Sequence, residues 1–295
     1  MDATENVKRP KYAAVVVHGI CANKGSQQEG FSKPLSKLVY PVKSQTERDE
    51  YWKEAVWEHV TNAADDKIQD VVLQVMNLYD KTAYWRDEKL ANSKHWWQKV
   101  WPHLGYVIGK ITHILVRNTA VDLLDLTLDL PLYLGEPRGT RIREVVIGKI
   151  KETMEKNGSV VLIGHSLGSV IAYDVVKRNI EDGKPLNIKT LITMGSPLKW
   201  VTDIRRAENG DTSPIVPSML SLPGVRWINI YDKEDPIALK DELPDTMFCD
   251  VENVQIESGK TFIEAHTCYW THSEVASIVG NAMFAETVED ERKTT

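Results

Sequence analysis

At 295 residues the chain is long enough for one large core carrying an inserted segment, and its 42% hydrophobic and 26% charged residues are ordinary globular usage, which excludes disordered, collagen-like and coiled-coil readings. A net charge of −6 argues against a nucleic-acid partner, because phosphate binding wants net positive charge. Cys21, Cys249 and Cys268 are widely spaced with no CxxC pair, the first ten residues are polar, and no run of about 18 apolar residues occurs; together these predict a soluble cytoplasmic protein, free of disulfides, that could still meet a membrane surface.

Residues 1–10 read as a flexible lead-in. Tyr12 to Val17 (YAAVVV) is a β-branched apolar run ending at His18-Gly19, the pattern of a buried strand of a parallel sheet. Over 49–62, Trp52, Val56 and Val60 recur at helical spacing and predict a helix; Val71 to Met76 predicts a strand. Residues 81–117 differ in character: they hold Trp85, Trp96, Trp97 and Trp101, and seven basic against two acidic residues leave the window at +5 and the rest of the chain at −11. Asp122, Asp125 and Asp129 then share one helical face, which Pro131 limits or kinks.

From 138 the rhythm of helix and strand resumes. Helices are predicted over 141–156, 167–181 and 273–286, and strands over Ser159–Ile163, Ile188–Met194, Val225–Tyr231 and Val251–Ile256, with a loop at 207–224 and a flexible charged tail at 288–295. Alternating strands and helices imply an α/β class, a mostly parallel sheet with helices on both faces. The predicted organisation is a core of 11–80 and 137–287 with a helical cap or lid inserted at 81–136.

Four segments carry the chemistry. Gly164-His165-Ser166-Leu167-Gly168 stands between a predicted strand and a predicted helix. A serine placed on a sharp strand-to-helix turn projects its hydroxyl toward a substrate, and glycines two residues either side relieve the crowding of the backbones. His18-Gly19-Ile20 follows the first strand; backbone N–H groups of Leu167 and of Ile20 or Gly19 are candidates to hold a carbonyl oxygen as it gains negative charge. Asn229 to Ile237 runs from a strand into a loop with several carboxylates, of which Asp235, followed by Pro236, is the candidate to orient a histidine, with Asp232 as alternate. Glu264 to His272 supplies the base: His266, in a loop after the last strand, with His272, ahead of Ser273 as an N-cap, as alternate. The two histidines have no neighbour at a recognisable ligand spacing, so no metal is predicted, and no phosphate loop is present, so no cofactor is predicted either.

With HGI, GHSLG, GSP (195–197), DP and H-x-x-YW in this order between 18 and 270, the chain resembles the α/β-hydrolase superfamily, and within it the lipase- and esterase-like members. The resemblance implies nucleophile Ser166, acid Asp235 and base His266, 69 and 31 residues apart along the chain, and a serine esterase working through an acyl-enzyme. It also implies a structural place near the site for Gly195-Ser196-Pro197. The inserted 81–136 departs from the core pattern, and fold alone does not choose the substrate. The expected partner is a small-molecule or lipid ester. Trp and Lys/Arg together suit a membrane–water interface, so 85–117 is expected to touch anionic lipid or cover the active site; the other readings are that the tryptophans pack the cap on the core, or that the cap docks a protein partner. The same triad would serve an acyltransferase or thioesterase, and an inactive hydrolase fold used as an interaction module is the alternative from another class.

Overall fold

A computed structural model describes residues 8–19, 30–42, 44–57, 133–134, 136–184, 186–208, 220–238, 242–260 and 263–284. The chain divides into two compact units, one of Met1–Val56, Arg143–Lys199 and Ile215–Thr295, the other of Trp57–Ile142 and Trp200–Pro214. In the second unit Trp57, Tyr133, Ile142 and Val201 are buried. The predicted strand 71–76, the Asp122–Asp129 face and nearly all of 81–136, with Trp85, Trp96, Trp97 and Trp101, lie outside the described residues, as do Ile20, Cys21 and the charged tail.

The elements in chain order are β1 (Ala13–Val17), α1 (Lys33–Val39), α2 (Gln45–Tyr51), β2 (Trp52–Ala55), α3 (Arg138–Asn157), β3 (Val160–His165), α4 (Leu167–Glu181), β4 (Ile188–Met194), α5 (Leu198–Glu208), β5 (Arg226–Asp232), β6 (Val251–Ile256), α6 (Ile263–Thr267), a 3₁₀ turn (Cys268–Trp270) and α7 (Ser273–Phe284). Six strands form one all-parallel sheet in the order β2-β1-β3-β4-β5-β6. Its central strands are covered on both faces, which is why Ala13 to Val17 and Val160 to Ile163 are apolar without alternation. One face packs Ala14, Val16, Val161, Ile163, Ile192, Met194, Ile228 and Ile230 with Leu35 and Val39 of α1 and Val275, Val279 and Met283 of α7. On β1, β3 and β4 lies α4. This is the α/β architecture expected, an α/β-hydrolase type of sheet.

Two local expectations are corrected. The helical spacing at 49–62 does not produce one helix: α2 ends at Tyr51 and β2 begins at Trp52, pairing Trp52↔Ala14 through Ala55↔Val17. The hydrogen bonds offered by the edge of β1 outweigh a periodicity carried by only three residues, and Trp52 Nε1–H gains a bond to Ser32 Oγ at 2.7 Å in the strand register. His266 lies on the short helix α6 rather than in a loop, and α7 starts at Ser273 itself, so Ser273 is its first helical residue and not its cap. The short helices α1 and α5 escaped the sequence reading because neither presents a long periodic stripe.

The strand order sets the location of the site. From β1 the sheet grows outward to β2 on one side and to β3 on the other, so a crevice opens beyond their C-terminal ends, where open parallel sheets bind ligands. Gly19 and Ser166 stand there. Beyond the strands the ladder continues for one residue: Ser166 N–H donates to Met194 O at 3.0 Å and Gly195 N–H to Ile230 O at 3.1 Å. The ends of β3, β4 and β5 are thereby held side by side.

Candidate active site

Ser166 has φ 55° and ψ −129°, a left-handed conformation that strains any residue bearing a Cβ. It connects the last residue of β3 to the first of α4 without a loop, and the neighbouring glycines allow it. A Cβ on Gly164 would lie 2.5 Å from Gly168 O; one on Gly168 would lie 2.3 Å from Val17 O. The first glycine lets α4 start against the end of β3, and the second lets it pass over β1. Behind the turn, Ser169 Oγ, fully buried, donates to Ser166 O at 2.5 Å and lies 2.7 Å from Ser196 Oγ. This places the GSP segment at the back of the elbow.

The serine is nearly buried, at 3% exposure. Gly19 touches it: a Cβ there would lie 2.5 Å from Ser166 Cβ and 3.1 Å from Ser166 Oγ. Leu167 carries the first N–H of α4, a donor with no intrahelical acceptor at the positive end of the helix dipole. Of the expected oxyanion donors, Leu167 and Gly19 flank the serine, and Ile20 lies outside the described residues.

Asp235 and His266 are brought together. His266 Nδ1 lies 2.9 Å from Asp235 Oδ2 and 3.0 Å from Oδ1. Asp235 has no exposed surface, and its Oδ1 also accepts from the N–H of Ile237 at 2.8 Å and of Ala238 at 3.4 Å. Burial works against its charge. His266 beside it, and the hydrogen bonds from His266, the Ile237 N–H and Tyr269, nevertheless hold its pKa below the usual carboxylate value. With Asp235 accepting from Nδ1–H, the lone pair of His266 is on Nε2, the arrangement a general base requires.

The alternates are engaged elsewhere. Asp232 Oδ1 accepts from the Glu234 N–H at 2.8 Å and Oδ2 from Ser258 N–H and Oγ–H, so this carboxylate closes the turn after β5. His272 Nε2 approaches the Glu257 carbonyl at 3.4 Å. Between Ser166 Oγ and His266 no hydrogen bond is formed among the described residues; the link between the two is His165. Its Nε2–H donates to the His266 carbonyl at 2.7 Å, and its ring lies 4.7 Å from that of His266. Burial, followed by the neighbouring His266, lowers the His165 pKa to about 3, so the ring stays neutral. His18 is lowered to about 4 by burial, partly offset by its hydrogen bond to the Gly19 carbonyl.

Three contributors escaped the sequence reading in their roles. Tyr269 Oη–H donates to Asp235 Oδ2 at 2.9 Å and accepts from the Asp232 N–H at 3.0 Å. Gly195 has φ +54°, and a Cβ there would lie 2.8 Å from Asp235 Oδ2, 3.0 Å from Tyr269 Cε2 and 3.1 Å from His266 Nδ1. His165 is the third. The three-residue step from His266 to Tyr269 was the available signal, since such a step puts both on one side of a helical turn.

The parallel sheet and the strained serine between strand and helix define the protein as an α/β-hydrolase. Residues 39–214, more than half of the chain, match the family of class 3 lipases. The chain belongs to this family of serine lipases. It is also similar to a protein of Saccharomyces cerevisiae named as a probable mitochondrial phospholipase, with 30% identity over 135 residues, which covers 41% of this chain and 19% of the yeast protein. The chain thus matches about a fifth of that relative's length. Among the described residues no helix is long and apolar enough to cross a membrane.

Proposed function

We propose that the chain is a carboxylic ester hydrolase acting on a lipid ester, with Ser166 as nucleophile, His266 as general base and Asp235 as the group that orients it. The observation that carries this reading is the buried Asp235 on His266 Nδ1, presented at the same edge of the sheet as, and two strands along from, a serine held in a strained elbow. His266 Nε2 accepts the Ser166 proton as Oγ bonds to the acyl carbon. The N–H groups of Leu167 and of Gly19 or Ile20 stabilise the oxyanion. The tetrahedral intermediate collapses, the alcohol takes the proton from His266, and an acyl-enzyme remains. Water, deprotonated by His266, then attacks the acyl carbon; the acid is released as the Ser166 C–O bond breaks and Oγ takes the proton back from His266. In the uncomplexed protein, catalytic hydrogen bonds are often long and tighten once substrate is bound, which accommodates the missing Ser166–His266 bond.

The family and the phospholipase name of the yeast relative favour a glycerophospholipid or another acyl ester of low solubility. In this reading 81–136 is the cap, with Trp85, Trp96, Trp97, Trp101 and the basic residues of 85–117 meeting an anionic membrane from a cytoplasmic, reducing compartment. The test is hydrolysis of nitrophenyl esters of increasing acyl length by the protein and by Ser166→Ala. Turnover that rises with chain length and vanishes in a folded Ser166→Ala supports the reading; equal turnover by the variant refutes it.

A further inference from the structure

We infer that Tyr269 is a positioning residue of the acid–base pair, tuning the hydrogen bond between Asp235 and His266 and fixing the loop that carries Asp235. This rests on the reading of Ser166, Asp235 and His266 given above.

His266 ends α6 and Tyr269 lies in the 3₁₀ turn that follows, three residues on. One helical step brings both side chains to a single carboxylate oxygen: Asp235 Oδ2 accepts from His266 Nδ1–H at 2.9 Å and from Tyr269 Oη–H at 2.9 Å. The phenol oxygen in turn accepts the Asp232 N–H at 3.0 Å, so it bridges the two ends of the turn 232–235. Asp235 and the Tyr269 ring are both fully buried, and the ring edge rests where only a glycine fits, at Gly195. Burial, followed by the Asp235 charge, raises the Tyr269 pKa far above the ordinary phenol value, so the hydroxyl keeps its proton and acts as a donor throughout the working range.

A donor on Oδ2 draws electron density from the oxygen that faces the imidazole. It therefore weakens the support that Asp235 gives to protonated His266, and a stronger donor weakens it further. The ionisable groups around the pair are His165 and His18 at the ends of β3 and β1, Asp232 at the end of β5, and His266 and Cys268 on the segment that carries Tyr269. Of these, His266 alone is bonded to Asp235 Oδ2, where it shares the oxygen with Tyr269. Replacing the hydroxyl removes one of two partners from that oxygen and frees the N–H of Asp232.

The experiment measures the second-order rate of Ser166 labelling by a fluorophosphonate probe as a function of pH. The proteins compared are the unaltered chain, Tyr269→Phe, a chain with 3-fluorotyrosine placed at 269, and Asp235→Asn. The acidic limb reports deprotonation of the base. In Tyr269→Phe it moves upward by about half to one pH unit, and the plateau falls severalfold as the turn loosens. With fluorotyrosine, an isosteric and stronger donor, the limb moves downward. A residue that only fills space would alter thermal stability and leave the limb in place. Should Tyr269→Phe fold poorly, the fluorotyrosine shift decides the matter alone. Unmoved limbs in both proteins, with Asp235→Asn unreactive, overturn the role of Tyr269 and leave the triad standing. A fully reactive Asp235→Asn, or an unaltered protein that is not labelled at Ser166, overturns the triad reading itself and this role with it.

Discussion

The imidazole of His165 lies flat enough on that of His266 to bring the ring centroids within 4.7 Å at an angle of 34°, while its Nε2–H holds the His266 carbonyl at 2.7 Å. The residue preceding the elbow serine thus grips the residue proposed as its base. A charged His165 would sit in a buried site beside a second imidazole, and burial keeps it neutral down to about pH 3, as it keeps His18 neutral to about pH 4.

Both histidines take up protons near their ordinary value of about 6.5 once the chain unfolds. The unfolded state therefore binds more protons than the folded one below that pH. The stability they contribute is complete above about pH 6.5 and is lost as pH falls toward 4 for His18 and toward 3 for His165, at up to about 1.4 kcal/mol per pH unit for each. Urea midpoints measured between these limits will fall with pH, and His165→Gln will show a shallower fall than the unaltered protein. Parallel curves would show that His165 is already charged in the folded state.

Asp235→Asn removes the charge that supports the imidazolium and offers His266 the wrong hydrogen-bond partner. Hydrolysis of a nitrophenyl ester will fall by about 10⁴-fold. Because the folded carboxylate is held below its ordinary pKa, the stability from its charge is present above about pH 4 and disappears as pH falls below that. The substitution will therefore cost more stability at pH 7 than at pH 3, as thermal denaturation at the two pH values will read.

Two glycines separate fold from site. A methyl on Gly168 meets the carbonyl oxygens of Val17 and His18, at 2.3 and 2.5 Å, and backbone cannot step aside. Gly168→Ala will lose roughly 1–3 kcal/mol or more of stability. A methyl on Gly195 meets Asp235 Oδ2, Tyr269 and His266 instead, at a φ of +54°. Gly195→Ala will displace the acid and base and lower ester hydrolysis by about 10²-fold, with a smaller loss of stability. Matched melting curves and rates for the two variants distinguish these effects.

The basic tryptophan segment 85–117 predicts binding to vesicles containing anionic lipid, weakened by added salt as screening shortens the reach of its lysines. Flotation with anionic and with neutral vesicles reads this directly. No salt-sensitive flotation with the anionic vesicles would refute the electrostatic contact, and no flotation with either kind would mean that the tryptophans serve packing alone.

Much of the framework could be read from residue pattern. Runs such as AAVVV and VVLI are apolar on both sides because the sheet is covered on both faces, and that makes their strands visible without any long-range information. The GHSLG turn was legible because the crowding of strand and helix leaves only glycine at 164 and 168. The β2 strand was not, because its pairing with β1 is a tertiary event that three residues at helical spacing concealed. Tyr269, Gly195 and His165 stand between these cases: each lies in a motif visible in the sequence, but acts on the site across 34 to 101 residues of chain, through contacts that the motif alone does not specify.

The most direct measurement of the central claim is peptide mapping of the protein after reaction with a fluorophosphonate. The account predicts one adduct, on the Ser166 peptide, formed by the unaltered protein and lost in Ser166→Ala. An adduct on another serine, or labelling that persists in Ser166→Ala, would contradict it.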